Sequence, residues 1–160
     1  MGRQEIDVTA RSVAGVETVY ALLRAGATWP TWSGLDSFEL ERAVPPVDGN
    51  GAGDGGPGAH EEVGAIRVFR TGPMTSREEI VELVSARRLS YVLLSGLPLR
   101  DYRADVDLTP TLEGTTIRWH STFEAKVPGT GWFYRLFLGR FIRQTAEGLA
   151  AYAGKQSTTD

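Results

Sequence analysis

The segment from Thr130 to Ala153 constrains the fold most, because no other long run of the chain repeats its apolar residues at helical spacing. It predicts one helix of about six turns. At roughly 100° per residue, Tyr134, Phe137, Leu138, Phe141, Thr145, Leu149 and Tyr152 fall on one side with Ile142 beside them, while Arg140, Arg143 and Glu147 fall opposite. Leu136 alone sits on the polar side. A stripe this aromatic needs a broad cover, and the chain has no second long helix to supply it. Between Leu35 and Ala125 the pattern is that of strands, so the expected cover is a sheet curved round the helix.

The 160 residues are enough for one domain, which buries roughly 70% of its unfolded surface without staples. There are no cysteines, which excludes disulfides, thiolate chemistry and sulfur-ligated zinc. Lys and Arg number 17 against 20 Asp and Glu, a net charge of −3 without a long single-sign run, which speaks against a nucleic-acid surface. The first twenty residues carry Glu5, Asp7, Arg11 and Glu17 and no apolar core, so neither a signal peptide nor a membrane span is expected. The expected address is the cytoplasm.

Gln4 to Ala10 reads as a first strand. Ser12 is the expected cap of a helix carrying Val16, Val19, Tyr20 and Leu23, which Gly26 stops. A second helical turn is expected over Thr28 to Ser33, where Pro30 suits the first turn and Trp29 and Trp32 plug one end of the core. Leu35 to Val44 is a strand that Pro45 and Pro46 end. Val47 to His60 then holds seven glycines or prolines in fourteen residues and predicts a mobile loop. Asp48 and Asp54, and the lack of a following Lys-Ser or Lys-Thr, count against a phosphate loop. Strands are expected over Glu62 to Thr71, Ser76 to Ala86, Leu89 to Ser95, Leu99 to Leu108 and Thr115 to Ala125. Their short connections mean an antiparallel meander. In the last pair Tyr102, Ala104, Val106 and Leu108, with Ile117, Trp119, Ser121 and Phe123, form the face turned to the helix. The domain is expected to span 1–154, with a flexible loop at 46–60 and a polar tail at 155–160.

This order of elements is the helix-grip arrangement, an α+β fold with a curved antiparallel sheet of about seven strands. The chain resembles the START-like superfamily that includes the birch-pollen allergen fold. Within that superfamily it looks most like the polyketide cyclase/dehydrase and lipid-transport families (SRPBCC). The resemblance rests on Trp-Pro-Thr-Trp at 29–32, Val-Gly-Ala-Ile-Arg-Val-Phe at 63–69, Arg-Glu-Glu-Ile-Val-Glu at 77–82, Arg-Arg-Leu-Ser-Tyr at 87–91 and Gly-Thr-Thr-Ile-Arg-Trp at 114–119. It implies a cavity between sheet and helix that holds a lipid, polyketide, sterol or hormone-like molecule. It does not imply a shared catalytic set, and the loop at 48–58 is longer than the family usually has there.

Arg67 stands between Ile66 and Val68, with Glu78, Glu79 and Glu82 on the next strand. A six-residue turn pairing Arg70 with Arg77 sets Arg67 opposite Ile80, with Glu78 and Glu82 diagonal to it, and one slip makes Glu79 the partner. Two placements stay open: a buried pair at the cavity wall, suited to a ligand carboxylate or keto oxygen, and a salt bridge on the convex face. Tyr91, Tyr102 and Trp119 join an aromatic body to one polar tip that can orient a carbonyl or hydroxyl. With Trp32, Arg67, Glu79, Phe123, Phe137 and Phe141 they make up the expected ligand site. His120 shares its strand parity with Arg118 and Glu124 on the solvent face, and His60 lies far off, so neither a histidine base nor a metal site is expected. Ser33, Ser95 and Ser121 have no histidine to activate them. The expected function is a carrier or sensor of a small hydrophobic ligand, without cofactor, as a monomer or weak homodimer. The alternative is an aromatase-type cyclase or dehydratase in which Arg67, Glu79 or Tyr91 assists proton transfer.

Overall fold

Alternating apolar residues and the turn residues between them produce seven strands: β1 Gln4–Ser12, β2 Ser37–Arg42, β3 Ile66–Thr71, β4 Met74–Val84, β5 Arg88–Ser95, β6 Leu99–Thr111 and β7 Gly114–Ala125. Between β1 and β2 lie α1 Val16–Arg24, a single 3-10 turn at Gly26–Thr28 and α2 Trp29–Trp32, and the chain closes with α3 Gly131–Thr158. The structure is a computed structural model and describes residues 2–46 and 58–158. Every neighbouring pair is antiparallel, in the order β1-β7-β6-β5-β4-β3-β2. The sheet is curved and holds α3 in its hollow, so the chain has the expected helix-grip fold.

Four local readings differ from the sequence expectation. α3 continues past Ala153 to Thr158, with Gly154 lying close against Val13. Ser12 does not cap α1: Gly15 precedes the first turn without a side-chain cap, and Ser12 ends β1. Its hydroxyl donates to the Ala150 carbonyl at 2.8 Å and thereby ties β1 to α3. The β3–β4 hairpin closes in two residues rather than six, with Thr71 opposite Met74 and Gly72 at φ 55° in the first central position, where glycine carries no steric cost. The β6–β7 hairpin is equally tight, with Thr111 opposite Gly114. The expected mobile loop falls mostly on 47–57, outside the described residues. Its described flanks join through the Val44 N–H to the His60 carbonyl and the Glu62 N–H to the Val44 carbonyl.

α3 lies along β1 from end to end, with Gly131 against Gln4 and Gly154 against Val13. Its C-terminal half packs through Ala146, Leu149, Ala150 and Ala153, all buried. Gly148 lets α2 approach: a Cβ there would overlap the Trp32 carbonyl, so the α2–α3 contact requires glycine. Bulges give β4 and β6 their local turn of direction. In β4, Val81 is extra between the Ile80–Tyr91 and Glu82–Ser90 pairs; in β6, Asp101 and Tyr102 stand between the Arg100–Glu124 and Arg103–Thr122 pairs. On the outer face Arg88 pairs with Asp107 and Glu82, and Arg103 with Glu82 and Asp105.

Candidate functional site

The inward parity of β4 runs Ser76, Glu78, Ile80, and that of β5 runs Leu89, Tyr91, Leu93. Ile80 and Leu89 close the core at one end, leaving Ser76, Glu78, Tyr91 and Leu93 to face the hollow toward the other. The β6 bulge turns Tyr102 in beside them, and Trp119 follows from β7. α2 contributes Trp29, β3 contributes Phe69 and Thr71, and α3 covers the whole with Phe137, Leu138, Phe141, Ile142 and Thr145. The enclosed space is about 110 Å³. Its mouth lies where Met74 and Phe137 are exposed.

The lining is mostly apolar, and its polar groups are largely spoken for. Ser76 Oγ donates to the Phe69 carbonyl at 3.4 Å and Thr145 Oγ1 to the Phe141 carbonyl at 2.8 Å. Trp119 Nε1 donates to the Tyr91 hydroxyl at 3.2 Å, and the Tyr102 and Ser121 hydroxyls share a bond of 3.1 Å. Burial drives the Tyr91 phenol well above its ordinary range and pushes Tyr102 up to about 12, so both stay protonated at neutral pH.

Glu78 is different. Its Oε1 is buried and has no hydrogen-bond partner among the described residues. The residue as a whole is only half-buried and lines the cavity. Burial pushes its pKa up to about 7, and the Arg67 guanidinium opposes that rise only in part. The result is a carboxyl that exchanges its proton near neutral pH inside an apolar chamber.

Arg67 lies opposite Glu78 in the β3–β4 register, two residues from the expected Ile80 partner, because the hairpin is shorter than expected. It faces inward and is wholly buried, but it is not part of the cavity lining. Its Nη1 donates to the Leu23 carbonyl at 3.0 Å and to Glu61 Oε1 at 3.3 Å, and the same Glu61 oxygen accepts the Gly26 N–H at 3.0 Å. Its guanidinium stacks on Trp29 at 4.7 Å and Phe69 at 5.3 Å. Burial lowers its pKa, with Glu61 and Glu78 acting the other way. Arg67 thus joins α1, β3 and the segment before β3 behind the cavity wall.

Of the expected ligand residues, the structure brings Tyr91, Tyr102, Trp119, Phe137 and Phe141 together round the cavity. Trp32 packs under Trp29 at 4.9 Å with its Nε1 bonded to Thr28, and Phe123 is sealed in the core beside Tyr102. Glu79 lies on the opposite face of β4, between Ile66 and Val92 in register. Trp29 and Glu78 take the cavity positions instead, and the alternation Ser76, Glu78, Ile80 is the signal that places Glu78 there. His120 stands on the outer face, 3.3 Å from Glu5. Among the described residues no group of three or more His, Asp or Glu is placed to hold a metal, and no helix is long and apolar enough to cross a membrane.

Residues 3–154 match the family described as polyketide cyclase / dehydrase and lipid transport. No curated protein matches the sequence. Among solved structures, a START superfamily protein from Mycobacterium smegmatis superposes with a TM-score of 0.75 at 12% identity, covering 97% of this chain and 99% of that one. The di-domain ARO/CYC StfQ of the steffimycin biosynthetic pathway gives 0.71 at 17%, over 98% of this chain and 52% of that one. Major latex-like protein 151 from Panax ginseng gives 0.65 at 13%, over 94% and 97%. These likenesses establish a shared fold. The family match over nearly the whole chain, together with the helix-grip fold and its aromatic cavity, makes this protein a member of the polyketide cyclase/dehydrase and lipid-transport family.

Proposed function

We propose that the protein binds one small apolar or aromatic molecule, lipid- or polyketide-like, in the cavity between the sheet and α3, and acts as its carrier or sensor. The observation that carries this reading is the chamber itself, walled by Trp29, Phe69, Tyr91, Tyr102, Trp119 and Phe141, with few polar groups. Such a lining favours a ligand that sheds its hydration on entry. Trp132, Phe133 and Leu136 lie outside on α3 and take no part in it. The test is saturation of a neutral fluorescent probe at one site per chain, and its loss in Leu93→Trp, which fills the cavity with an indole. Probe binding untouched by that substitution sinks the reading.

One observation favours a second reading, a cyclase or dehydratase acting in the same chamber. Glu78 holds a proton it can give or take near neutrality, close to the Tyr91 and Tyr102 phenols. In that role Glu78 removes a proton from the carbon between two carbonyls, or returns one to a departing hydroxyl, while the aromatic walls fix the chain's fold. Turnover of a β-hydroxy ketone by the native protein, lost in Glu78→Gln while binding persists, supports it. Tight binding with unchanged ketone leaves the carrier reading alone.

A further inference from the structure

Three kinds of ligand can be weighed against the polar end of the cavity. An anion meets Glu78 and cannot reach Arg67, which lies outside the lining with its Nη1 held by Glu61 and the Leu23 carbonyl, although its buried Nε and Nη2 have no partner among the described residues. A cation would seek the ionised Glu78, but the Arg67 guanidinium already acts on that carboxyl and stacks on Trp29 and Phe69, so a second positive charge is opposed by the first. A neutral molecule with a hydrogen-bond acceptor meets Glu78, whose buried Oε1 has no partner among the described residues. That group is a donor only while it carries its proton.

Resting on the binding reading above, we propose that Glu78 holds a neutral carbonyl-bearing ligand by donating its carboxyl proton to the carbonyl oxygen, so that binding requires protonated Glu78 and weakens as pH rises.

The groups that act on Glu78 are few. From β3 comes Arg67, with Glu61 behind it; from β5 and β6 come Tyr91 and Tyr102; α2 and α3 present Trp29, Phe137, Leu138, Phe141, Ile142 and Thr145, none of which titrates. Arg67 keeps its charge and the two phenols keep their protons between pH 6 and 8. Glu78 therefore supplies the change in that window. The acid is protonated below its folded pKa of about 7 and ionised above it. Ligand entry onto the ionised form removes the last cavity contact of a buried charge and offers it no donor, so that form binds poorly.

The experiment is a fluorescence titration with Prodan, a neutral naphthalene ketone, and with its dimethylaminonaphthalene parent, which lacks the ketone. Wild type and Glu78→Gln are compared from pH 6 to 8, with circular dichroism confirming that each is folded. If only protonated Glu78 binds, wild-type affinity for Prodan falls about tenfold across this range. Glu78→Gln, whose amide N–H donates at every pH, binds Prodan with an affinity that stays flat. At pH 6 the ketone-free parent binds wild type more weakly than Prodan does. A wild-type affinity independent of pH, an equal fall in both proteins, or no preference for the ketone overturns the inference while leaving the cavity reading in place. Failure of both probes to bind at any pH, in folded protein, removes the cavity reading itself.

Discussion

Replacing Glu78 by glutamine should stabilise the protein at pH 8 and leave it almost unchanged at acid pH. The carboxyl's folded pKa of about 7 lies above its ordinary 4.5. The native state therefore holds this proton more tightly than the unfolded chain does. Stability from this group is full below the unfolded value, declines as pH rises toward 7, and is level above that. The shift corresponds to on the order of 3 kcal/mol of penalty for the ionised form. Contact with the cavity, where solvent screens the charge, reduces the expected gain from glutamine to about 2 kcal/mol. With an m-value of roughly 2 kcal/mol/M, the urea midpoint of Glu78→Gln should exceed wild type by about 1 M at pH 8 and by little at pH 4.5. Urea unfolding followed by tryptophan fluorescence at half-unit pH steps reads the difference directly. Equal midpoints at pH 8, or an offset that does not change with pH, would falsify the assignment of Glu78 as a strained interior acid.

Arg67→Met should cost about 3–5 kcal/mol, because it leaves Glu61 buried without its cation; thermal melts should show the loss, and adding Glu61→Leu should recover part of it. Gly148→Ala should cost about 1–3 kcal/mol, since the new methyl displaces the Trp32 carbonyl and α2 with it; hydrogen exchange should report faster opening of α2. Trp119→Phe removes the 3.2 Å bond to Tyr91 and leaves a void where the larger indole was buried, and should cost about 2–3 kcal/mol by denaturant titration.

The parts of the fold that were legible in the sequence are those where one period dominates. α3 shows its 3.6-residue repeat over most of its length, and β6 and β7 alternate cleanly enough to name the inward residues from Tyr102 and Ala104 through Trp119 and Phe123. β4 did not yield in the same way. Its alternation is broken by the Val81 bulge, and its hairpin register depends on whether Gly72 and Pro73 form the whole turn. A register moved by two residues exchanges Ile80 for Glu78 as Arg67's neighbour. Such a shift keeps the same face inward; Glu79 entered the expected site only through the one-residue slip, which the structure does not show.

Arg67 was legible as an anomaly but not in its partner. Glu61 lies beyond the glycine-rich run, and only tertiary closure brings it and the Leu23 carbonyl to the guanidinium. The choice between Trp29 and Trp32 was equally hidden, because the single turn sets the two indoles against each other, 4.9 Å apart, and α2 rests on Gly148 of a helix distant in sequence. The aromatic stripe of α3 was legible, but not which part stays uncovered. Trp132, Phe133 and Leu136 project from the first turns into solvent, and Phe137 is half-exposed at the cavity mouth.

The central claim is that the space under α3 takes up an apolar ligand. The most direct test is methyl NMR of the full chain titrated with Prodan at pH 6. One-site binding should shift the methyls of Leu93, Leu97, Leu138 and Ile142, which line the cavity, and leave Leu112 and Val127 on the outside unmoved. Shifts confined to Leu136 and Val127 near the exposed aromatics of α3, with the cavity methyls silent, would contradict the account.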